Sequence, residues 1–233
     1  MDNCLNFTDE NIVEIKSHGK RAVFSISNPD DHIEKHISHH KQFYEFDLLD
    51  ELFHRCLPGM KFVDVGANIG NHSIFLSAIA GINGTAIEPV DLNYERLIKN
   101  VNLNGLEKNI EILCHAVGRF DGDGEYVSPS DINLGMCYVR SVNNGSIKIK
   151  TIDSLKMDDF HILKIDVEGS EIDVLNGAIH SIKKYRPIII CEAVDTRNFT
   201  IICDFLEGLR YRPSRRYCVT PTYIFEPSRR FFG

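Results

Sequence analysis

The sequence predicts an α/β domain on a mostly parallel, doubly wound sheet, with a hairpin-and-helix extension ahead of it. Three observations carry this. From Lys61 onward, short apolar runs alternate with amphipathic stretches, the grammar of βαβ units. Four of those runs finish on an acid: Asp64, Glu88, Asp166 and Glu192. The closing runs, 216–219 and 223–225, are joined by a short Pro-containing turn, which reverses one strand against the others. No shift in composition marks a linker. Residues 1–57 are therefore expected to be an extension on the lid or substrate side of one domain at 58–233, a size one core can support.

The elements follow in order. Residues 12–15 and 22–27 alternate around His18-Gly19-Lys20, a hairpin, and Asn28-Pro29-Asp30-Asp31 is a turn. Phe43, Phe46, Leu49, Leu52 and Phe53 have helical spacing within a stretch from about 33 to 57, in one or two pieces, that Pro58-Gly59 ends. Residues 61–65 form a buried strand, and a helix after Gly70 carries Ile74, Phe75, Ala78 and Ile79. A second strand spans 85–89. Asp91 is expected to cap a helix to about Asn102, and 110–115 is a third strand. Residues 122–150 read as β-hairpin material, with strands at 125–127, 136–139 and 146–150. Then come a strand at 162–166, a helix capped by Ser170 that ends near Lys184, a strand at 187–192 and a helix at 197–208.

Composition excludes several classes. With 43% hydrophobic and 25% charged residues and no repeat period, the chain is neither disordered nor a solenoid. Lys and Arg number 26 against 33 Asp and Glu, a net charge of −7, so no nucleic-acid partner is expected. No apolar run reaches the roughly 18 residues of a membrane span. The polar, acidic start MDNCLNFTDENIVEI is neither a secretory nor a transit signal, which points to the cytoplasm. The seven cysteines (Cys4, Cys56, Cys114, Cys137, Cys191, Cys203 and Cys218) are odd in number and form no CxxC, as expected of reduced thiols.

The strand-end acids are the functional signal. In an open parallel sheet, ligands bind beyond the carboxyl ends of the strands. Four acids there line a negative crevice that must meet water, a cation or a ligand rich in donors. The first βα turn, Asp64-Val65-Gly66-Ala67-Asn68-Ile69-Gly70-Asn71, is not a dinucleotide loop, because three residues separate its glycines; the P-loop pattern is absent too. Asp64 would also repel a phosphate. S-adenosylmethionine suits the turn better. Its ammonium can meet Asp64, its carboxylate the helix start after Gly70, and its two ribose hydroxyls Glu88, which lies 24 residues after Asp64. His115-Ala116-Val117-Gly118 are placed to edge the adenine. The cofactor set is therefore Asp64, Gly66, Ala67, Asn68, Gly70, Asn71, Glu88, Pro89, Ala116 and Val117.

These residues resemble a known family. Phe62-Val63-Asp64-Val65-Gly66-Ala67-Asn68-Ile69-Gly70-Asn71-His72, then Ile87-Glu88-Pro89, Leu163-Lys164-Ile165-Asp166-Val167-Glu168-Gly169-Ser170-Glu171, and Arg186-Pro187 ahead of Glu192 are similar to the FkbM methyltransferases. Phe43-Tyr44-Glu45 and Thr151-Ile152-Asp153-Ser154-Leu155 also fit. The resemblance implies the Rossmann-like class I methyltransferase fold, with seven strands and a partly antiparallel last pair. It also implies O-methylation of a hydroxyl on a sugar, glycan or secondary metabolite.

The sulfonium is already activated, so the protein's task is to align the acceptor and accept its proton. Asp166 is the first candidate base and Glu168 the second. His32, His36, His39 and His40 read mainly as a solvated face, with a substrate-lid base or a metal ligand as the alternative. His36 and His40 share a side at i, i+4, which is weak as a metal pair without an intervening Glu motif. His72 reads as a packing residue at the helix start, with contact to the methionine part of S-adenosylmethionine as the alternative. Arg215, Arg216, Arg229 and Arg230 read as solvated surface, with grip on an anionic acceptor as the alternative. Phe231-Phe232 is a packing anchor or an oligomer contact. No metal ligands are assigned. Two readings stand beside this one: an enzyme of the same fold in which Asp166, Glu192 and a histidine hold a divalent ion, and a non-catalytic protein that binds the cofactor or a nucleotide.

Overall fold

The computed structural model describes residues 11–127 and 138–228. Cys4, Met136, Cys137, Arg229, Arg230, Phe231 and Phe232 lie outside the described residues. The chain opens on a hairpin of β1 (Asn11–Ser17) and β2 (Lys20–Ile26), with Ser17 opposite Lys20. His18 and Gly19 take φ of 50° and 73°, the paired positive values that a two-residue type I′ turn requires. Asp31 then caps α1 (His32–His40), its carboxylate accepting the N–H groups of Ile33 and Glu34. Fully buried Glu34 holds the preceding loop by accepting from the backbone of Ser27 and Asn28, and Arg96 lies 3.6 Å from it. The stretch expected to be helical over 33–57 is two helices, α1 and α2 (Phe46–Arg55). Lys41 and Glu45 adopt left-handed conformations between them.

The sheet that carries the site begins with β3 (Lys61–Val65). It is followed by α3 (Asn71–Ile74), which runs on into a π-helical turn over Phe75–Ile79. Then come β4 (Asn83–Ile87), α4 (Asp91–Leu103) and β5 (Ile110–Leu113). A second, four-stranded sheet follows, made of β6 (Ala116–Val117), β7 (Gly122–Val127), β8 (Tyr138–Ser141) and β9 (Ile147–Lys150), in the order β6-β9-β7-β8. The chain returns through β10 (Ile162–Ile165), α5 (Glu171–Asn176), α6 (Ile179–Tyr185), β11 (Ile188–Glu192) and α7 (Thr196–Gly208). It closes with β12 (Tyr211–Tyr217) and β13 (Thr222–Pro227).

The main sheet has seven strands in the order β12-β13-β11-β10-β3-β4-β5, and β13 alone runs against the rest. The βαβ grammar and the closing strand pair anticipate this mostly parallel sheet with one reversed strand, and the resemblance implies its seven strands. Strand periodicity divides the core between the two faces. Phe62, Ala86, Ile162, Ile190 and Ile224 pack with the hairpin, α2 and the π turn. Their neighbours Val63, Ile87, Leu163, Ile189 and Phe225 pack with α5, α6 and α7.

Two helix starts differ from expectation. Val90, not Asp91, is the N-cap of α4, and it makes no side-chain cap; Asp91 sits in the first turn, where its charge suits the helix dipole. The helix expected from Ser170 to Lys184 is broken in two, and Ser170 makes no side-chain cap. Gly177 passes so near Gly118 that a Cβ would fall 2.0 Å from the Gly118 carbonyl oxygen. Asp153 starts the second piece from outside by accepting the N–H groups of His180 and Ser181 at 3.0 and 2.8 Å. Among the described residues no helix is long and apolar enough to cross a membrane.

Candidate active site

A cavity of about 380 Å³ opens beyond the carboxyl ends of β3, β4, β10 and β11, where the topology predicts a ligand. Glu88, Asp166, Glu168 and Glu192 all line it. Asp64 does not. As the fourth residue of β3 it points to the helix-bearing face beside its register partner Lys164, one layer behind the cavity, with no exposed surface. Its carboxylate accepts from Ser73 at 2.7 Å and faces the Lys164 ammonium at 3.2 Å. Gly70, also expected at the ligand, is not among the lining residues either. It turns the chain at φ 92° against Leu97 and Ile74.

Lys164 organises the floor. It is a lysine in an otherwise apolar strand, and its ammonium lies 3.2 Å from both Asp64 and Asp166 and donates to the Gly66 carbonyl at 2.9 Å. Burial would lower its pKa, but the charges of Asp166, Asp64 and Glu45 raise it, so the ammonium persists in the interior. Opposite it, Glu45 pairs with buried His72 at 3.3 Å. Burial alone would push Glu45 up, but the bond and charge of His72 hold it below the usual carboxylate range. Neither pairing stands out in the sequence, because each joins segments far apart in the chain. The signal that was there is the lysine inside an apolar strand, which needs a buried partner.

The β3–α3 turn, whose distinctive glycine pattern pointed to a ligand, is built for close approach. Gly66 has φ 76°, and a Cβ there would fall 1.8 Å from the Asp166 carbonyl oxygen. The N–H groups of Gly66 and Ala67 bond the Ile87 carbonyl, and that of Asn68 bonds Glu88 at 2.8 Å. Glu88 also accepts from Val90 at 2.9 Å. Burial pushes the Glu88 carboxyl up to about 7, and the two backbone bonds oppose that rise. Asn71 lines the cavity, but its amide exchanges two hydrogen bonds with the Tyr44 backbone, so it ties the N-terminal segment to α3. Pro89, Ala116, Val117 and Val139 give one end of the cavity apolar walls.

At the other end stand the acids after β10. Glu168 and Gly169 have φ of 54° and 98°, two left-handed residues in succession. Buried Glu171 holds this loop by accepting from Gly169 at 2.9 Å and from Val167 at 3.4 Å. Partial burial and the charges of Asp166 and Glu171 push Glu168 up to about 7. Of the histidines expected on a solvated face, His32 lines the cavity and packs on Tyr44. The His36 ring lies 4.6 Å from that of His40, and burial lowers its pKa. His72, read as a packing residue, lines the cavity as well. Arg215 and Arg216 lie apart from it, beside Asp47, Asp50 and Glu51.

This arrangement has known relatives. The pattern of the methyltransferase FkbM domain matches residues 64–213. Hexuronic acid methyltransferase AglP of Haloferax volcanii is 29% identical over 133 residues, which is 54% of this chain and 53% of AglP, so the chain spans about half the length of that curated relative. Among solved structures, methyltransferase FkbM of Methylobacillus flagellatus KT superposes with a TM-score of 0.56 at 22% identity, over 72% of this chain and 43% of that one. That likeness concerns the fold.

Proposed function

Because the chain belongs to the FkbM methyltransferase family, we propose that it uses S-adenosylmethionine to methylate a hydroxyl of a sugar, glycan or related small molecule. The placement of Glu88 carries this reading. Each of its oxygens accepts one backbone N–H, which leaves a lone pair on each for the two ribose hydroxyls. The apolar walls of Ala116, Val117 and Pro89, which suit a purine, support the same ligand. Asp64 has no surface in the cavity, so its part is to hold Lys164 and α3 in place behind the cofactor. The cofactor, when bound, supplies an activated methyl group.

The residues of the chain do the rest. The acceptor hydroxyl sits at the acidic end, where Asp166 and Glu168 orient it and accept its proton as the methyl group arrives. Glu168, at about 7, is matched to take a proton near neutral pH. Lys164 keeps positive charge at the cavity floor beside Asp166. Hexuronic acids, the acceptors in the name of the Haloferax relative, make acidic sugars the first class to try.

Titration calorimetry with S-adenosylmethionine, its demethylated product and NAD tests the cofactor, and labelled cofactor with a panel of uronic-acid and neutral glycans tests the acceptor. Binding of the first two ligands and not NAD is expected, with label appearing on a glycan hydroxyl. NAD binding without S-adenosylmethionine binding would sink the reading.

A further inference from the structure

The acidic end of the cavity holds more negative charge than the proposed reaction needs. Asp166, Glu168 and Glu192 come from two adjacent strands, and each offers one carboxylate oxygen within 4.8 Å of the others. The Glu192 side chain is a separate observation. The residue is only 9% exposed, its Oε2 is buried without a hydrogen-bond partner, and one oxygen of the same carboxylate lies within 4.8 Å of the other two acids. A buried carboxylate oxygen with no donor is costly and calls for a partner. The nearby Lys164 ammonium lies against Asp64 and Asp166, each at 3.2 Å, and donates to the Gly66 carbonyl.

We propose that Asp166, Glu168 and Glu192 form a binding site for one hard divalent cation, magnesium or manganese, at the acceptor end of the cavity. All the ligand atoms are carboxylate oxygens, the set that such ions prefer over soft or nitrogen-seeking metals. Three monodentate carboxylates leave about half of an octahedron open toward the cavity, for water or for neighbouring hydroxyls of a sugar. The histidine that the sequence suggested as third ligand is replaced by Glu168, which the left-handed turn before Gly169 carries to the cluster. The site rests on the proposed function only in where it places the acceptor, and with a cation bound Asp166 and Glu168 would act on the acceptor hydroxyl through the ion rather than as free bases; ion binding itself does not depend on that reading.

The test uses the full chain and manganese alone, with free Mn²⁺ counted by electron paramagnetic resonance and magnesium added as competitor. S-adenosylhomocysteine binding is measured in parallel. The expected result is one Mn²⁺ per chain, displaced by magnesium and retained at saturating S-adenosylhomocysteine, with affinity at least tenfold weaker in Glu192→Gln. Exposed Glu168→Gln should show the same weakening, and it keeps the test decisive if the Glu192 variant does not fold. No Mn²⁺ binding at millimolar concentration, unchanged affinity in the folded variants, or displacement by S-adenosylhomocysteine would each overturn the site; the last would make the acids a seat for the cofactor's ammonium. Cofactor binding without Mn²⁺ binding removes the cation site and leaves the proposed function standing. Mn²⁺ binding without cofactor binding does the reverse.

Discussion

The place of Glu88 on the cavity wall was legible in the sequence, and its ionisation was not. Its position at the end of an apolar strand, downstream of the glycine turn, marks it for a ligand in the sequence alone. Its ionisation depends on burial and on the Asn68 and Val90 N–H groups, which only the fold brings to it. The same limit applies to Asp64. The sequence shows an acid near a strand end, but strand alternation turns it toward Lys164 and Ser73, away from the cavity. The state of Glu88 has a measurable consequence. Its carboxyl rises from 4.5 to about 7 on folding, so the folded protein holds the proton more tightly than the unfolded chain does. The stability this contributes is full below about pH 4.5 and is lost as the pH rises through 7, a change of about 3 kcal/mol. Glu88→Gln cannot ionise. Urea denaturation of both proteins from pH 4.5 to 8 should therefore show the variant gaining on the parent as the pH rises. A gap that stays constant would mean that Glu88 ionises in the folded protein as freely as in water.

At the scale of elements, the strands and most helices were readable because each carries its own period and its own stop. The exceptions were set from outside. Asp153 and the close pass of Gly118 split the helix after Ser170, and the π turn over Phe75–Ile79 is clasped at its end by Lys20 of β2, which donates to the Ile79 carbonyl at 2.7 Å. The hairpin is the clearest case. A lone two-stranded hairpin is marginal in water, and this one is held to α4 by two asparagines. Asn104 exchanges bonds with both backbone groups of Val23 at 2.8 Å, in the manner of a neighbouring strand. Asn100 accepts from the Ser25 N–H and donates to the Ile69 carbonyl, both at 2.9 Å, so one buried amide links the hairpin to the turn that opens onto the site. Asn100→Leu keeps much of the volume and leaves both backbone groups unpaired. The expected cost is about 2–4 kcal/mol in urea denaturation, with faster hydrogen exchange at Ser25. A loss below about 1 kcal/mol would show that water replaces the amide and that the tie is not structural.

For the whole molecule, the sequence suggests an extension laid on a complete domain, and the packing argues for a closer dependence. Val13, Ile15, Phe24, Ile37, Phe43, Leu48, Leu49 and Leu52 all precede residue 58 and are at most 2% exposed. They share one core with Phe62, Phe75, Ile79 and Ile162 of the sheet layer. Phe43 joins the two parts directly, with its ring 5.7 Å from Phe24 and 5.0 Å from Phe75, edge to face in both cases. Each buried side chain of this size is worth about 1.5–3 kcal/mol. Removing 1–57 would leave the apolar faces of Phe62, Phe75, Ile79 and Ile162 open to water as one contiguous patch. The same segment brings His32, Tyr44 and Glu45 to the cavity, so fold and site depend on it together. A chain of residues 58–233 should accordingly be poorly soluble or molten, with loss of a cooperative urea transition, and should bind no cofactor by calorimetry. Recovery of a soluble 58–233 fragment with a single sharp transition would show that it folds as an independent unit and reduce the N-terminal segment to a cover.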